Sequence, residues 1–197
     1  SRYRGDTQAL FSGLMRTSRG RQPRALFPFN IALIGFMGTG KSTVAPLLAH
    51  TLGREFIDLD KEIELRQGRS IPQIFAEDGE SRFRALEQEL VQEVSQRHHL
   101  VIACGGGTIL REENRHALKR SSRLVLLTAS PETILKRIGD ETHRPLLGGK
   151  PTKEAIAQLL TERAKIYYEI ADVQVSTDAS TPAEVTELVV RELLKDL

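Results

Sequence analysis

Gly35-Phe36-Met37-Gly38-Thr39-Gly40-Lys41-Ser42 stands between an apolar run, Ile31–Ile34, and a stretch, Ser42–Leu52, with Val44, Leu47, Leu48 and Leu52 at helical spacing. It fits the pattern G-x-x-x-x-G-K-[ST] in sequence and in predicted context, a buried parallel strand before it and a helix behind it. Glycines there let the backbone turn its N–H groups inward onto a phosphate, and the N-terminus of the helix adds its dipole. The expected nucleotide-binding set is Gly35, Gly38, Thr39, Gly40, Lys41, Ser42 and Thr43. Lys41 supplies a charge for the β- and γ-phosphates, and the Ser42 hydroxyl a ligand for Mg²⁺, so ATP and Mg²⁺ are the cofactors this stretch calls for. A glycine turn without a ligand is the alternative, and an eight-residue match in this setting argues against it. Pro46 removes an N–H that would bond the Ser42 carbonyl, which predicts a kink or a water there.

Outward from this loop, strands and helices alternate. Further strands are predicted at Glu55–Leu59, Leu100–Cys104, Leu124–Ala129 and Val173–Ser176. Helices are predicted at Asp60–Gln67, from Ser70 to Gly79, and over Ser81–Gln96, Glu112–Lys119, Thr152–Tyr168 and Pro182–Leu194. Ser130-Pro131 opens another, because proline suits a first turn. The alternation predicts an α/β domain, a parallel sheet covered by helices on both faces.

Bulk properties narrow the function. The 197 residues suit one compact domain with a short appendage. With 40% hydrophobic and 27% charged residues the composition is that of a globular domain, and no run is long and apolar enough for a bilayer. A lone cysteine, Cys104, cannot pair internally and reads as a small core residue, which suits a reducing, cytoplasmic setting. The net charge of +2 gives no support for a nucleic-acid partner. That near-neutrality hides an asymmetry. Residues 1–29 hold six arginines and one acid, Asp6, so they carry +5 and the remainder −3. The basic extension reads as a linker, as an organellar transit segment, or as the remnant of a fused upstream domain. Within it Thr7–Arg21 has a short helical pattern, and Gly5–Gln22 resembles the last helix of a small all-helical chorismate mutase.

Three further motifs bear on the acceptor. Asp58-Leu59-Asp60 closes the second strand, at the end where open α/β sheets bind ligands. Two acids two residues apart in a strand share a side, though Asp60 could instead cap the following helix. Gly79-Glu-Ser-Arg-Phe-Arg84-Ala-Leu-Glu87 opens a helix with two arginines, and Gly105-Gly106-Gly107 ends the third strand. Arg163 projects from an apolar stripe of Ile156, Leu159, Leu160 and Tyr167 that contains no acid. An anionic ligand is one partner for such a charge, and an acid elsewhere in the fold is the other. Arg84 has Glu87 three residues on, close enough to pair with it.

Together with Arg144-Pro-Leu-Leu147, these motifs resemble shikimate kinase in order and spacing from about Ile31 to the C-terminus. The resemblance implies a P-loop kinase fold, a five-stranded parallel sheet in the order 2-3-1-4-5 flanked by helices, with a mobile lid at about 139–151. It implies transfer of the ATP γ-phosphoryl to the 3-hydroxyl of shikimate. By the same resemblance Asp60 is the base at that hydroxyl, and Asp58 a Mg²⁺ residue acting through water or through another ligand of the ion. Arg84 and Arg163 clamp the shikimate carboxylate beside Gly105, Gly106 and Gly107, with a backbone N–H from Gly106. Arg144 closes on the phosphates and Arg137 lies against the adenine. Kinases for gluconate or nucleoside monophosphates, and a related domain that senses an effector to regulate transcription, are the competing readings.

Overall fold

A computed structural model describes residues 27–139 and 151–195. Five strands form one parallel sheet: β1 (Asn30–Ile34), β2 (Glu55–Asp58), β3 (Leu100–Ala103), β4 (Ser122–Thr128) and β5 (Val173–Ser176), in the order β2-β3-β1-β4-β5. Eight α-helices connect and cover them among the described residues. They are α1 (Lys41–Leu52), α2 (Leu59–Gln67), α3 (Ile71–Asp78), α4 (Glu80–Ser95), α5 (Glu112–Ser121), α6 (Pro131–Ile138), α7 (Lys153–Ile170) and α8 (Pro182–Lys195).

Strand alternation sorts the core into two layers. Ala32 and Ile34 of β1, Leu100 and Ile102 of β3 and Leu124 and Leu126 of β4 face one side, where α2, α4, α5 and α7 add Ile63, Leu90, Leu118 and Tyr167. Ile31 and Leu33, Val101, and Val125 and Leu127 face the other, against Val44 and Leu48 of α1 and Val185 and Val189 of α8. Fully burying each of these large side chains contributes about 1.5–3 kcal/mol. A third, small cluster of Phe36, Ile134, Ile138 and Ile156 sits where α6 and α7 pass the glycine loop. The edge strand β5 buries Val173 and Val175 and exposes Gln174 and Ser176, the alternation of a half-covered strand.

Two expectations change. Strand β2 stops at Asp58, so Asp60 stands in the first turn of α2 and the two acids are not related by strand alternation. The cap of α2 is Asp58, whose carboxylate accepts from the Lys61 N–H at 3.2 Å. The division at Asn30 also falls inside the packed body. Phe27 is wholly buried against the α1 and α8 layer, and the Arg54 guanidinium donates to the carbonyls of Phe27 and Phe29. Helix α1 runs through Pro46 without ending there and closes on Gly53. The amphipathic stretch Thr7–Arg21 and all but the ends of the expected lid, Arg144 included, lie outside the described residues.

Candidate active site

The strands end together, and their C-terminal edge gathers the glycine loop after β1, Asp58 at the end of β2, Gly105–Gly107 after β3 and Thr177 after β5. The loop's shape needs glycine at residue 38, whose φ is +75° and where a Cβ would lie 2.9 Å from the Ile138 side chain. Lys41, at the start of α1, donates its ammonium to the carbonyls of Gly35 at 2.6 Å and Phe36 at 2.8 Å. Thr39 is buried and its hydroxyl also donates to the Phe36 carbonyl, at 2.8 Å. Ser42 and Thr43 are exposed on the first turn of α1. The Ser42 hydroxyl donates to Asp58 Oδ2 at 2.8 Å, which sets two hard oxygen donors side by side at the loop. No cluster of three or more carboxylate, histidine or cysteine ligands occurs among the described residues. The Ser42–Asp58 pair of oxygens is chemically compatible with Mg²⁺, an ion that keeps several waters and commonly takes other ligands from phosphate.

Arg137, exposed near the end of α6, spans two elements. Its guanidinium donates to the Gly38 carbonyl at 3.2 Å and to the Thr177 hydroxyl and carbonyl at 2.8 and 2.7 Å.

Across the loop, three charged side chains from three helices meet one stretch of backbone. A Cβ on Gly105 would lie 2.7 Å from Asp60 Oδ1, and one on Gly107 would lie 2.6 Å from an Arg84 guanidinium nitrogen. The carbonyl of Gly106 accepts from the Tyr167 hydroxyl at 2.7 Å and from Arg163 at 3.3 Å. Glycines are needed here for space: any side chain at 105 or 107 would displace the acid or the arginine. The Gly106 backbone thus serves Arg163 and Tyr167 through its carbonyl.

The electrostatics of this half are unusual. Asp60 Oδ1 is buried with no hydrogen-bond partner among the described residues. Burial, then the nearby carboxylates of Glu87 and Asp58, push Asp60 up from its ordinary 3.8 to about 6, against the opposing charges of Lys41 and Arg84. Arg163 is buried, rests over the Phe36 ring at 5.4 Å, and makes no ion pair among the described residues. Arg84 does pair, with Glu87 at 2.9 Å and Glu80 at 3.6 Å, so the pairing expected of neighbouring charges coexists with its place beside Gly107. Cys104 is buried and its thiol is pushed well up by that burial, which makes it a core residue.

Sequence reasoning overlooked four participants. Glu87 is wholly buried and joins Arg84 to the Thr108 hydroxyl, 2.9 Å away, where the sequence suggested only the pair with Arg84. Tyr167 lies one turn after Arg163 on the same face, a spacing that could have linked them. Phe36 occupies a variable position of the loop pattern, and Thr177 follows a strand with no local motif; neither carries a sequence signal.

The pattern of the family described as shikimate kinase matches residues 37–194. Among characterised relatives, a shikimate kinase of Thermodesulfovibrio yellowstonii is 44% identical over 163 residues, which are 83% of this chain and 94% of that protein. A shikimate kinase of Thermobifida fusca is 46% identical over 161 residues, 82% of this chain and 92% of that one. The solved structure of an Acinetobacter baumannii shikimate kinase in complex with shikimate superposes with a TM-score of 0.83 at 36% identity. It covers 88% of this chain and 98% of its own.

Proposed function

The chain belongs to the shikimate kinase family, and we propose that its residues divide the transfer of the ATP γ-phosphoryl to the 3-hydroxyl of shikimate between two half-sites. In the donor half the glycine loop and Lys41 hold the β- and γ-phosphates, while Arg137 lies against the base. Ser42 and Asp58 hold Mg²⁺, which neutralises charge on the phosphates when bound.

In the acceptor half Arg84 and Arg163 bind the shikimate carboxylate and so orient the ring. Asp60 holds the 3-hydroxyl. That oxygen forms the new bond to the γ-phosphorus as the bond to the bridging oxygen of ADP breaks, and the hydroxyl proton passes to the Asp60 carboxylate. An aspartate lifted to about 6 is still ionised at neutral pH yet basic enough to take that proton. Arg144, by the family resemblance, closes from a lid at about 139–151 onto the transferring phosphoryl, and closure excludes water that would otherwise accept it. Residues 27–195 form the kinase domain in this reading. The buried, unpaired Cys104 suits the cytoplasm, and no described helix is long and apolar enough to cross a membrane.

The convergence of Asp60, Arg84 and Arg163 on Gly105–Gly107 beside the loop is the observation that carries these roles. A coupled assay of ADP release tests them: release should need shikimate and stay near background with gluconate or a nucleoside monophosphate. Release that is the same with and without shikimate would overturn the assignment.

A further inference from the structure

A phosphate loop presents its N–H groups to the ligand, which turns its carbonyls outward, and those carbonyls need donors of their own. At Thr39 the donor comes from an element far away in sequence. The Thr177 hydroxyl, just beyond β5, lies 2.9 Å from the Thr39 carbonyl and 3.1 Å from the Thr128 carbonyl. The Thr128 carbonyl already receives the Thr177 N–H at 2.8 Å, so the single hydroxyl proton is better spent on Thr39. The same oxygen accepts from Arg137, whose other nitrogen reaches the Thr177 carbonyl. Arg137 in turn donates to the Gly38 carbonyl, so two successive outward carbonyls of the loop are met by a connected pair of donors. Thr177 is 2% exposed, which keeps water from competing for these bonds.

We propose that Thr177 is a positioning residue for the nucleotide. It locks the outer side of the phosphate loop to the end of β5 and holds Arg137 in its place beside the base. The inference rests on the reading of the loop and Arg137 as the nucleotide site. Thr177 touches neither phosphate nor acceptor in this role.

Two substitutions of the same position separate this from a merely structural hydroxyl. Thr177→Val keeps the shape and removes the hydroxyl; Thr177→Ser keeps the hydroxyl and removes a methyl. With Val, KM for ATP and Kd for ADP should rise about tenfold, the scale of one buried hydrogen bond with a charged partner. KM for shikimate and kcat at saturating ATP should stay within about twofold, because no acceptor group contacts Thr177. Thr177→Ser should restore nucleotide affinity. If the valine protein does not fold, Thr177→Ala carries the same expectation without bulk to misplace. Unchanged ADP affinity, an equal loss for ATP and shikimate, or a serine variant as weak as valine would each overturn the proposal. Failure of the underlying site reading has a different mark: wild type and Lys41→Ala would then bind ADP equally.

Discussion

The two halves of the site are built on opposite principles. Around the phosphate loop, five polar side chains are held by the protein: Lys41 on two carbonyls, Thr39 on Phe36, Ser42 on Asp58, Arg137 on Gly38 and Thr177, and Thr177 on Thr39. A few ångströms away, Asp60 Oδ1 is buried without a partner and Arg163 has a ring and one long bond in place of a counter-ion. The donor half is finished before any ligand arrives. The acceptor half holds its charges at a cost that a polyhydroxylated carboxylate is suited to offset. The contrast fits the chemistry, since phosphoryl transfer depends on fixed charges around the phosphates and on an acceptor that must be recognised by its own groups.

Asp60→Asn should break the acceptor half most severely, lowering kcat by about 10²–10⁴ as expected for loss of a general base. The same change should make the fold more stable. Folded Asp60 holds its proton to about pH 6 whereas an ordinary aspartate releases it near 3.8, so its contribution to stability falls as pH rises between those values. At neutral pH the asparagine protein should therefore unfold later in urea, by on the order of 1–3 kcal/mol. A variant that is both slower and less stable would mean that Asp60 is structural. In the wild type, kcat/KM for shikimate should fall below about pH 6 as the carboxylate takes up its proton.

Lys41→Ala attacks the finished half and should cost about 10²–10³ in kcat, the scale of one preorganised donor to a developing charge. Far-ultraviolet circular dichroism should be unchanged; a collapse of the fold would show that the ammonium mainly braces the loop.

Arg163→Ala should act on recognition, raising KM for shikimate about 10–100-fold with KM for ATP nearly constant, if its contact is equally strong before and during transfer. A shikimate analogue lacking the carboxylate sharpens the point. Wild type should lose much of its preference, and the alanine variant little more. Strong discrimination for the carboxylate by both proteins would move the clamp elsewhere.

The smallest effect on activity is expected from shortening the N-terminus. A chain starting at Phe27 should keep its activity and its stability. Removing Phe27 as well should leave kcat nearly unchanged and cost about 3–5 kcal/mol of stability, because a wholly buried aromatic is lost. Equal thermal melting of the two chains would contradict that.

Most strands and helices were legible because their patterns are local: apolar runs, caps and a glycine loop announce themselves within a dozen residues. The sheet order came from the family resemblance, and the loop residues and Arg163 were legible from motif and stripe. What escaped depends on long-range placement. Asp58 and Asp60 looked like a pair sharing one side of a strand end, until the Asp58 cap turned the chain into α2 one residue earlier than expected. Glu87 reads only as a partner for Arg84, and it is the packing of α4 against Thr108 that buries it. Thr177 meets Thr39 across 138 residues of chain, a distance over which no spacing carries information. Phe27 and Phe29 sit next to an arginine-rich stretch whose composition masks two aromatics that belong to the core layer.

Phe36 has a consequence of its own. Its carbonyl receives the ammonium of Lys41, and its ring lies beneath the guanidinium of Arg163. In the proposed assignment, the loop for one substrate and the platform under the arginine for the other are thus the main chain and side chain of a single amino acid. A displacement of the loop backbone at this point is also a displacement of the arginine's floor. An inhibitor designed for both proposed subsites would meet Phe36 at their junction.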